Sequence, residues 1–534
     1  MLGIPGSLQP FFKSPLSIIL LVALAARMIT WKLASVINPD SVLYLAQAQS
    51  IFQGQWSQAI TCGYLYLTNY SLFISAVYPL TQDWIASGRI VSFVMGTFFV
   101  VPIYFLLRFF FNLRISAITT LCYAVIPIFV SRSVDIVRGP TCWFFLALGI
   151  YFYVYACKKQ KLFFILASLS LIMAAWARVE SIVYFIICLI FILVAPEKGK
   201  LKKFFLFLSP VFFLSIVAVA LSLGFQAETV VSHHLSATAL QEHWNALVLH
   251  NDYLKEAIAT LSANQEDLRI HSFLQEAGRA RIAVTVWMII NRYSEAFTYS
   301  YFALAVVGFY TIKKCSIEPF FIYLFATLAF VATLIMYQQI NRMWVLEYRY
   351  TGIFILACPL FLAQGIELIL TKVLGLRHQK GLGLAVLTLF LFAAPVTKAI
   401  TQKLSSDSIY ITIGKAIARH AKDFPAYTVS SAHSIRLVSL YSNLQSPIPL
   451  CDIDSRAYSS VVTGNYPELS ANLMAKDIRF LLWEENYWPA DKEEFLAQLS
   501  GDKNFKQIGS WHHVNAGHQI LFQFDPYATT SAND

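Results

Sequence analysis

Long apolar stretches, most of them close to the length that a helix needs to cross a lipid bilayer, recur through residues 1–400 of this chain. Apolar residues make up 57% of the 534 residues and charged residues only 13%, a balance that a water-soluble protein of this size could not cover with a polar surface. The sequence therefore predicts an all-α polytopic membrane protein. We count about eleven spans, each judged against the length of roughly 20 residues that a crossing helix needs, at 15–36, 85–111, 116–131, 139–157, 162–177, 180–195, 204–225, 293–312, 320–340, 348–370 and 381–399.

Basic residues are concentrated in alternate loops between these stretches, and one orientation satisfies all of the clusters. By the positive-inside rule these loops face the cytoplasm, and Lys13 places the amino terminus there too. An odd number of spans leaves the carboxyl terminus outside. Since the net charge of +10 comes largely from such loops, we do not interpret it as a nucleic-acid-binding surface. The first span lacks the small-residue cleavage site of a signal peptide, so we expect it to be retained. The clusters are Arg108 with Arg114, 158–161, 198–203, Lys313 with Lys314, and Lys372 with Arg377 and Lys380.

Three segments on the predicted extracytoplasmic side are large. Residues 37–84 contain no Lys or Arg and are rich in aromatic residues and Gln, which predicts amphipathic helices lying on the membrane surface. Residues 226–281 are polar. Residues 401–534 contain strand-like stretches at 426–430, 478–483 and 518–524 with helical stretches between them, which predicts a small α/β domain. We therefore divide the chain into a transmembrane domain, 1–400, and an extracytoplasmic soluble domain, 401–534.

Histidine and cysteine give weaker signals. The histidines of the second external segment match no strong metal-binding spacing, and ordinary surface histidines are the simpler interpretation. Most of the eight cysteines fall inside apolar stretches, where we expect them to pack as small residues. Cys62 and Cys451 fall in predicted external segments, which leaves a disulfide between them open. The histidines concerned are His233, His234, His243, His250 and His271, and the cysteines in apolar stretches include Cys122, Cys142, Cys157, Cys188 and Cys358.

Charged residues of both signs gather at the predicted outer membrane boundary, whereas the cytoplasmic ends hold simple basic runs. Ionisable groups at membrane depth are costly and are functional candidates by default. Their concentration on one side predicts a polar cavity that handles a charged head group. The residues are Asp40, Asp83, Arg89, Asp135, Arg138, Arg178, Glu180, Arg342, Glu347 and Arg349.

Asp40 is the most informative of these residues. Asn38 can cap a helix, Pro39 suits its first position, and Asp40 then falls in the first turn. A simple role would be to complement the helix dipole. Tyr44, one turn later, continues the same face, so the two side chains lie along one stripe of the predicted helix.

The other candidates also have simple alternatives. Asp135 lies in a tight external turn and could form a local salt bridge with Arg138 or Arg132. Arg178 and Glu180 interrupt a long apolar stretch and could pair with each other. Arg27, roughly 18 Å along the first span at the helical rise, needs a protein or ligand partner.

These residues resemble the pattern of GT-C fold glycosyltransferases, in particular the protein O-mannosyltransferases and the bacterial aminoarabinose transferases. The resemblance extends loosely over about the first 370 residues and rests on the order and sidedness of the motifs. It implies a polyprenyl-phosphate-sugar donor and an acceptor hydroxyl or amine presented from outside. The matching elements are Asn38-Pro-Asp40-Ser-Val-Leu-Tyr44 with Gly54 and Trp56, Arg89 in its helix, Asp135, Arg178-Val-Glu180, and Glu347-Tyr-Arg349-Tyr350 before Pro359. Many members have a second acid directly after the first aspartate, where this chain has Ser41, so a two-carboxylate or metal-assisted version is in doubt.

The resemblance and the chemistry together suggest roles. A phosphate leaving group needs no general acid, but the acceptor must lose a proton, which we assign to Asp40 as general base. Asp135 would position the acceptor or orient an arginine. Arg349, Arg138 and Arg178 are the candidates for binding the donor phosphate. Further substrate contacts are expected from Tyr44, Arg89, Glu180 and Tyr350. Single displacement would invert the anomeric centre. No cofactor is required by the sequence, and a divalent metal is left open.

Other functions remain open at this level. A transporter or lipid flippase would normally show duplicated halves and charges near the bilayer midplane, and no two-fold repeat is evident here. A ligase or polymerase that uses another polyprenyl-linked glycan shares the donor and the membrane side. A receptor or scaffold would leave the boundary charges unexplained. The acceptor, whether lipid, glycan or protein, is not specified by the sequence. The absence of a recognisable sorting signal favours the bacterial inner membrane.

Overall fold

A computed structural model of the chain contains two compact units. The first unit is made of Met1–Ile29, Val94–Ser133 and Arg138–Thr401, and the second of Thr30–Phe93, Val134–Val137 and Gln402–Asp534. The second unit therefore combines the first external segment with the carboxyl-terminal part of the chain. The structure describes residues 14–34, 36–61, 67–195, 199–224, 256–264, 267–343, 348–375, 380–401, 408–420, 429–444, 451, 461–463, 465–489 and 491–526.

The first unit is built from helices. Where backbone passes through hydrocarbon, a helix satisfies its own N–H and C=O groups, and the apolar composition of these stretches favours that solution. Its helices are Pro15–Leu33, Val100–Leu107, Leu113–Val125, Pro127–Ser133, Gly139–Lys158, Phe163–Ala177, Ile182–Val194, Lys200–Gly224, Leu268–Arg279, Arg281–Phe297, Tyr299–Thr311, Pro319–Met343, Tyr348–Leu356, Pro359–Gly375 and Lys380–Thr401, with 3-10 turns at Val179–Ser181 and Ile312–Lys314.

The described helices overlap every stretch that the sequence predicts as a span. Five of them are long and apolar enough to cross a membrane, or up to seven if each bent pair counts as one span. The bent pairs are Leu113–Val125 with Pro127–Ser133, at 53°, and Tyr348–Leu356 with Pro359–Gly375, at 71°. The number eleven stays a prediction. The sequence did not predict the two bends.

Two glycines allow helices of the first unit to approach closely. A Cβ atom added at Gly308 would lie 1.8 Å from the carbonyl oxygen of Phe361, and one added at Gly365 would lie 2.1 Å from that of Leu304. Small residues of this kind are common where membrane helices pack backbone against backbone. They fix the Tyr299–Thr311 helix against the Pro359–Gly375 helix.

Arg27 is fully buried in the first unit and has protein partners, as its depth in the first span requires. Its Nη1 donates to the carbonyl oxygens of Ala23 and Ala124, both at 3.0 Å, and its guanidinium lies 5.9 Å from the centre of the Phe99 ring. These contacts satisfy part of its donor capacity with backbone oxygens.

The second unit contains a mixed sheet and a set of shorter helices. Within the described residues the strands are β1 (Val429–Ser431), β2 (Phe480–Glu484), β3 (Phe505–His513) and β4 (Gly517–Phe524), in the order β1-β2-β4-β3. β1 runs parallel to β2, and the other neighbours are antiparallel. The helices with most or all of their residues in this unit are Ser41–Phe52, Trp56–Thr61, Asn69–Thr81, Trp84–Phe98, Ile409–His420, Ile435–Asn443, Tyr466–Ala475 and Lys492–Gly501, with a 3-10 turn at Glu485–Tyr487.

The sequence found three of these strands and missed β3. β3 lies at the edge of the sheet and is interrupted by Gly509 at a bulge, so most of its side chains are exposed or half-buried. An edge strand of this kind lacks the apolar alternation on which sequence reading depends. The predicted strand at 426–430 begins before the described part of β1, since residues 426–428 lie outside the described residues.

The prediction of amphipathic surface helices in the first external segment is wrong for its principal helix. Ser41–Phe52 is buried along nearly its whole length, including the polar Gln47 and Ser50. Gln47 accepts a hydrogen bond from the Ser71 hydroxyl at 2.9 Å, which explains why this Gln-rich sequence can be buried. The helix is a packed part of the second unit.

The cysteines of the apolar stretches differ in bonding state from Cys451. Cys122, Cys142, Cys157, Cys188, Cys315 and Cys358 are not disulfide-bonded, and most of them are buried. Cys451 is disulfide-bonded, while Cys62, the partner that the sequence leaves open for it, lies outside the described residues.

Candidate functional site

Asp40 lies immediately before the first helical residue, Ser41, in a turn that Asn38 organises. The Asn38 side-chain oxygen accepts the Asp40 N–H at 2.9 Å, and its backbone carbonyl accepts the Ser41 N–H, also at 2.9 Å. The prediction that Asn38 caps the helix and that Asp40 lies in its first turn is wrong, because the helix begins at Ser41 and Asn38 organises the turn before it. The Asp40 carboxylate makes no capping bond; instead its Oδ1 accepts from Nη1 of Arg436 at 3.2 Å. A helix-capping role does not account for this side chain.

Asp135 is tied to the same turn. Its Oδ1 accepts the Asn38 N–H at 2.9 Å and the Ile136 N–H at 3.1 Å, and the residue is buried. The Ser41 hydroxyl, which stands where the resembling enzymes often have a second acid, donates to the Ile136 carbonyl at 2.8 Å. These bonds hold the 134–137 segment against the beginning of the Asp40 helix.

Tyr44 and Arg89 belong to the second unit and lie on the Ser41–Phe52 and Trp84–Phe98 helices. Tyr44 is buried and packs edge-to-face on Tyr70, with ring centres 5.3 Å apart. The Tyr70 hydroxyl lies 2.7 Å from the Ser92 hydroxyl, on the helix that carries Arg89. The Arg89 guanidinium lies 5.9 Å from the centre of the Trp31 ring.

The carboxyl-terminal part of the chain contributes two residues that the sequence analysis missed. Arg436 pairs with Asp40 across 396 positions of sequence. Tyr441, on the same helix, accepts a hydrogen bond from the Ile37 N–H at 3.4 Å. Burial raises the pKa of Tyr441; the Asp135 charge also raises it, and the Arg89 charge lowers it. Asp135 and Arg89 are thus both close to this helix. No local pattern marks Arg436, because charged residues on a soluble domain are ordinarily solvated.

A second charged cluster lies in the first unit, around Arg178. Arg178 has an extended backbone that ends the Phe163–Ala177 helix and is almost fully buried. Its Nη2 pairs with Glu180 at 3.2 Å, and its Nη1 donates to the Arg349 carbonyl at 3.0 Å. The ion pair that the sequence allowed is present, but the bond to Arg349 connects it to a distant helix. The Tyr350 ring lies 4.7 Å from the Arg178 guanidinium and 5.4 Å from that of Arg349.

This arginine cluster has unused polar capacity. Among the described residues, Nε of Arg178 and Oε2 of Glu180 are buried and have no hydrogen-bond partner. The charge of Arg138, the residue before the Gly139–Lys158 helix, also acts on Glu180. Buried charged groups with unmet bonds are costly in a bilayer and are therefore candidates for ligand binding.

The helix that carries Arg349 and Tyr350 is held closely against Trp143. A Cβ atom added at Gly352 would lie 2.5 Å from the Trp143 indole nitrogen. Since Trp143 belongs to the helix that begins next to Arg138, this contact fixes two of the candidate phosphate ligands relative to each other.

A third polar group, also in the first unit, was not predicted. Arg292 donates to Glu295 at 3.1 Å and to the Tyr348 hydroxyl at 2.9 Å, and Tyr348 itself donates to Glu295. The Lys398 ammonium donates to the Glu295 carbonyl oxygen at 2.8 Å. Arg292 and Glu295 are three positions apart, but Tyr348 and Lys398 lie 53 and 103 positions after Glu295, so no local pattern marks the whole group.

An apolar cavity of about 520 Å³ lies along the helix that carries Arg292. Nearly all of its lining is aliphatic or aromatic, and it includes Ile289 and Tyr293 of that helix. Phe354, six positions after Tyr348, stacks on Tyr293 with ring centres 3.8 Å apart. A cavity of this composition fits a hydrocarbon chain.

Several predicted residues fall outside the described part of the chain. These are Glu347 and the histidines at 233, 234, 243 and 250, and the side chain of Arg342 is likewise not described. His271 is described, and its Nδ1 lies 2.7 Å from the Ser262 carbonyl oxygen. Within the described ranges no three His, Cys, Asp or Glu residues are grouped so that they could hold a metal ion.

Comparison with solved structures identifies the fold. ArnT from Cupriavidus metallidurans, bound to undecaprenyl phosphate, is 11% identical, with 96% of this chain and 98% of that chain covered and a TM-score of 0.57. The apo oligosaccharyltransferase of Archaeoglobus fulgidus is 11% identical, with 94% and 74% covered and a TM-score of 0.56. The same enzyme tethered to an acceptor peptide with the NVT sequon is 11% identical, with 95% of this chain and 74% of that chain covered and a TM-score of 0.55.

The chain therefore has the GT-C fold and is an integral membrane protein, as the sequence resemblance predicts. A family model described as dolichyl-phosphate-mannose-protein mannosyltransferase matches residues 69–222, which include Arg89, Asp135, Arg138, Arg178 and Glu180 but not Asp40. A search of curated proteins found no match.

Proposed function

We propose that this protein is an inverting glycosyltransferase that moves a sugar from a polyprenyl-phosphate carrier to an acceptor on the extracytoplasmic face of a membrane. The observation that carries the proposal is the cluster of Arg178, Glu180 and Arg349 on a GT-C fold, in which Arg178 is buried and neither its Nε nor Oε2 of Glu180 has a hydrogen-bond partner. A buried guanidinium with an available donor suits an anion such as phosphate.

The phosphate can leave without a general acid, whereas the attack of the acceptor on the sugar needs a general base. Phosphate leaves as a stable anion, so it needs charge stabilisation rather than a proton, and Arg349, Arg138 and Arg178 supply fixed positive charge. The acceptor hydroxyl or amine attacks the anomeric carbon as the carbon–phosphate oxygen bond breaks, and its proton passes to the Asp40 carboxylate. One displacement inverts the anomeric centre. Asp135 holds the Asp40 turn in place through Asn38.

The remaining predicted contacts have supporting roles. Tyr350, packed against two guanidinium groups, fixes their planes. Glu180 keeps Arg178 in its buried rotamer. We assign further substrate contacts to Arg89 and to Tyr44, which packs on Tyr70.

The apolar cavity along Ile289 and Tyr293 supports a lipid-linked donor. A prenyl chain is hydrocarbon, and the cavity lining offers it apolar contact along the Arg281–Phe297 helix. Arg292 lies on the same helix, and Lys398 bonds to Glu295 of that helix. Both residues add positive charge suited to an anionic head group. ArnT in the solved complex binds undecaprenyl phosphate, a molecule of the same chemical class.

The proposal includes the orientation predicted from the basic loops. About eleven spans, a number set by the length a crossing helix requires, would place the amino terminus in the cytoplasm and residues 401–534 outside, in a bacterial inner membrane. The identities of the sugar and of the lipid, glycan or protein acceptor are open within this proposal.

The test is a donor screen with purified full-length protein. The protein is incubated with a panel of polyprenyl-phosphate sugars that differ only in the sugar, with and without mixed acceptors, and free polyprenyl phosphate is measured. We expect one donor to be consumed and Asp40→Asn to abolish most of that consumption. If every donor stays intact while proteoliposomes containing the protein move a polyprenyl-linked sugar across the bilayer, the protein is a flippase and the proposal is wrong.

A further inference from the structure

We propose that Arg436, from the carboxyl-terminal part of the chain, is the residue that positions the Asp40 carboxylate for catalysis, and that the buried Glu484 holds Arg436 in place. This inference rests on the proposed function of Asp40 as the base. It assigns to the carboxyl-terminal part of the chain the positioning of a catalytic side chain.

The first observation is the contact itself. Arg436 Nη1 donates to Asp40 Oδ1 at 3.2 Å, and both side chains are only partly exposed, at 32% and 22%. A charge-assisted bond to one carboxylate oxygen restricts rotation about the Cβ–Cγ bond. The direction in which the other oxygen faces the acceptor is then fixed before the substrate arrives, which is the advantage of a preorganised base.

The second observation concerns the beginning of the helix that carries Arg436. Glu484, the last residue of β2, is fully buried, and its Oε2 accepts the His433 N–H at 2.9 Å and the Ser434 N–H at 3.3 Å. Ser431, at the end of β1, also donates its hydroxyl to the same oxygen. A carboxylate at a helix amino terminus satisfies otherwise unpaired N–H groups and complements the helix dipole.

These contacts form one continuous path of bonds. Glu484 fixes Ser434, the residue that precedes the Ile435–Asn443 helix, and Arg436 is the second residue of that helix. At the other end of the helix, Tyr441 receives the Ile37 N–H, next to the turn that carries Asp40. The helix is therefore attached to the Asp40 turn at two points and to the sheet at a third.

The burial of Glu484 argues for more than domain stability. A carboxylate is expensive to bury, and an apolar residue with an ordinary serine cap would begin a helix at lower cost. Glu484 uses several bonds to hold one short helix, and that helix bears the side chain that contacts Asp40.

The experiment compares Arg436→Gln, Arg436→Lys and Glu484→Gln in the full-length protein, using the donor identified by the screen. We expect Arg436→Gln to lower kcat by between about tenfold and a hundredfold, the usual effect of misplacing a catalytic group, with little change in donor KM. Arg436→Lys should recover part of the loss, because it restores a cation. Glu484→Gln should lower kcat in the same direction by a smaller factor.

Two control variants stand in the same part of the chain. Arg479→Gln removes an arginine that pairs with Asp477 at 2.8 Å, and Glu485→Gln removes a carboxylate that accepts the His518 N–H at 2.8 Å. Both should leave kcat and KM unchanged. The proposal is overturned if Arg436→Gln keeps wild-type kcat, if it raises KM while kcat is unaffected, or if the controls lose as much activity as the test variants.

A second measurement does not depend on catalysis. The thermal unfolding midpoint, Tm, is measured for Asp40→Asn, Arg436→Gln and the double variant, and the contact predicts a double-variant shift smaller than the sum of the single shifts. Additive shifts would refute the contact. If the coupling is present but wild-type protein consumes no donor, the proposed function fails while the contact stands, so the two failures can be told apart.

Discussion

Asp40→Asn separates catalysis from structure most sharply. The substitution keeps the size of the side chain and removes its charge and basicity. If Asp40 is the general base, turnover should fall by about a hundredfold or more. That loss corresponds to about 2.7 kcal/mol of transition-state stabilisation at about 1.4 kcal/mol for each factor of ten.

The structural cost of the same change should be small. The hydrogen bonds of the turn are accepted by Asn38 and not by the Asp40 carboxylate, so they survive the substitution. The partly exposed ion pair with Arg436 contributes at most about 1 kcal/mol to folding. We therefore expect a small fall in Tm, within what that ion pair can contribute, together with a large loss of turnover, measured as release of free polyprenyl phosphate by purified protein.

Asp83→Asn is the matched control for this prediction. Asp83 is the other acid of the same external segment, and its Oδ1 accepts the N–H groups of Ile85 at 2.8 Å and Ala86 at 3.0 Å. Asparagine caps helices about as well as aspartate, so turnover and Tm should both be retained. Wild-type turnover in Asp40→Asn, or an equal loss in Asp83→Asn, would refute the assignment of the base.

Three further predictions concern the first unit. Arg178→Gln should lower the free energy of unfolding by about 3 kcal/mol, the lower end of the range for breaking a buried pair, because Glu180 is 21% exposed. The double variant Arg178→Gln, Glu180→Gln should recover part of the loss in Tm. A fully additive loss would contradict the pairing. Gly308→Leu should cost about 1–3 kcal/mol, because its side chain would meet a facing backbone carbonyl, whereas Gly381→Ala, in open space, should leave Tm unchanged. Arg27→Met should not lower Tm, because the arginine contacts carbonyl oxygens and a ring rather than a carboxylate; a large drop in Tm would show that these contacts are stabilising.

Much of the helical architecture was predictable because hydrocarbon tolerates so few backbone conformations. Apolar stretches of near-bilayer length mark helices, and the described helices overlap each predicted stretch. The bends between Val125 and Pro127 and between Leu356 and Pro359 were not predicted. In the sequence each stretch is a single apolar run, because hydropathy measures composition along the chain and carries no information on the direction of the helix axis.

The sequence predicted individual site residues where a local signal exists. Asp40 follows a recognisable capping pattern, and Arg178 with Glu180 interrupts an apolar stretch. Arg292, Lys398, Arg436 and Glu484 have no such signal. Each has a partner between 53 and 396 positions away, which no local pattern indicates, although Arg292 also bonds to Glu295 three positions away.

The sequence by itself determined that this chain enters a membrane, which stretches become helices and which charged residues interrupt them, because transfer from water to hydrocarbon is a property of each residue and its near neighbours. Tertiary structure alone decided that the Ser41–Phe52 helix is buried rather than lying on a surface, and that Arg436 reaches Asp40. Burial and pairing between residues nearly 400 positions apart depend on how elements pack, and packing is set by the whole chain at once.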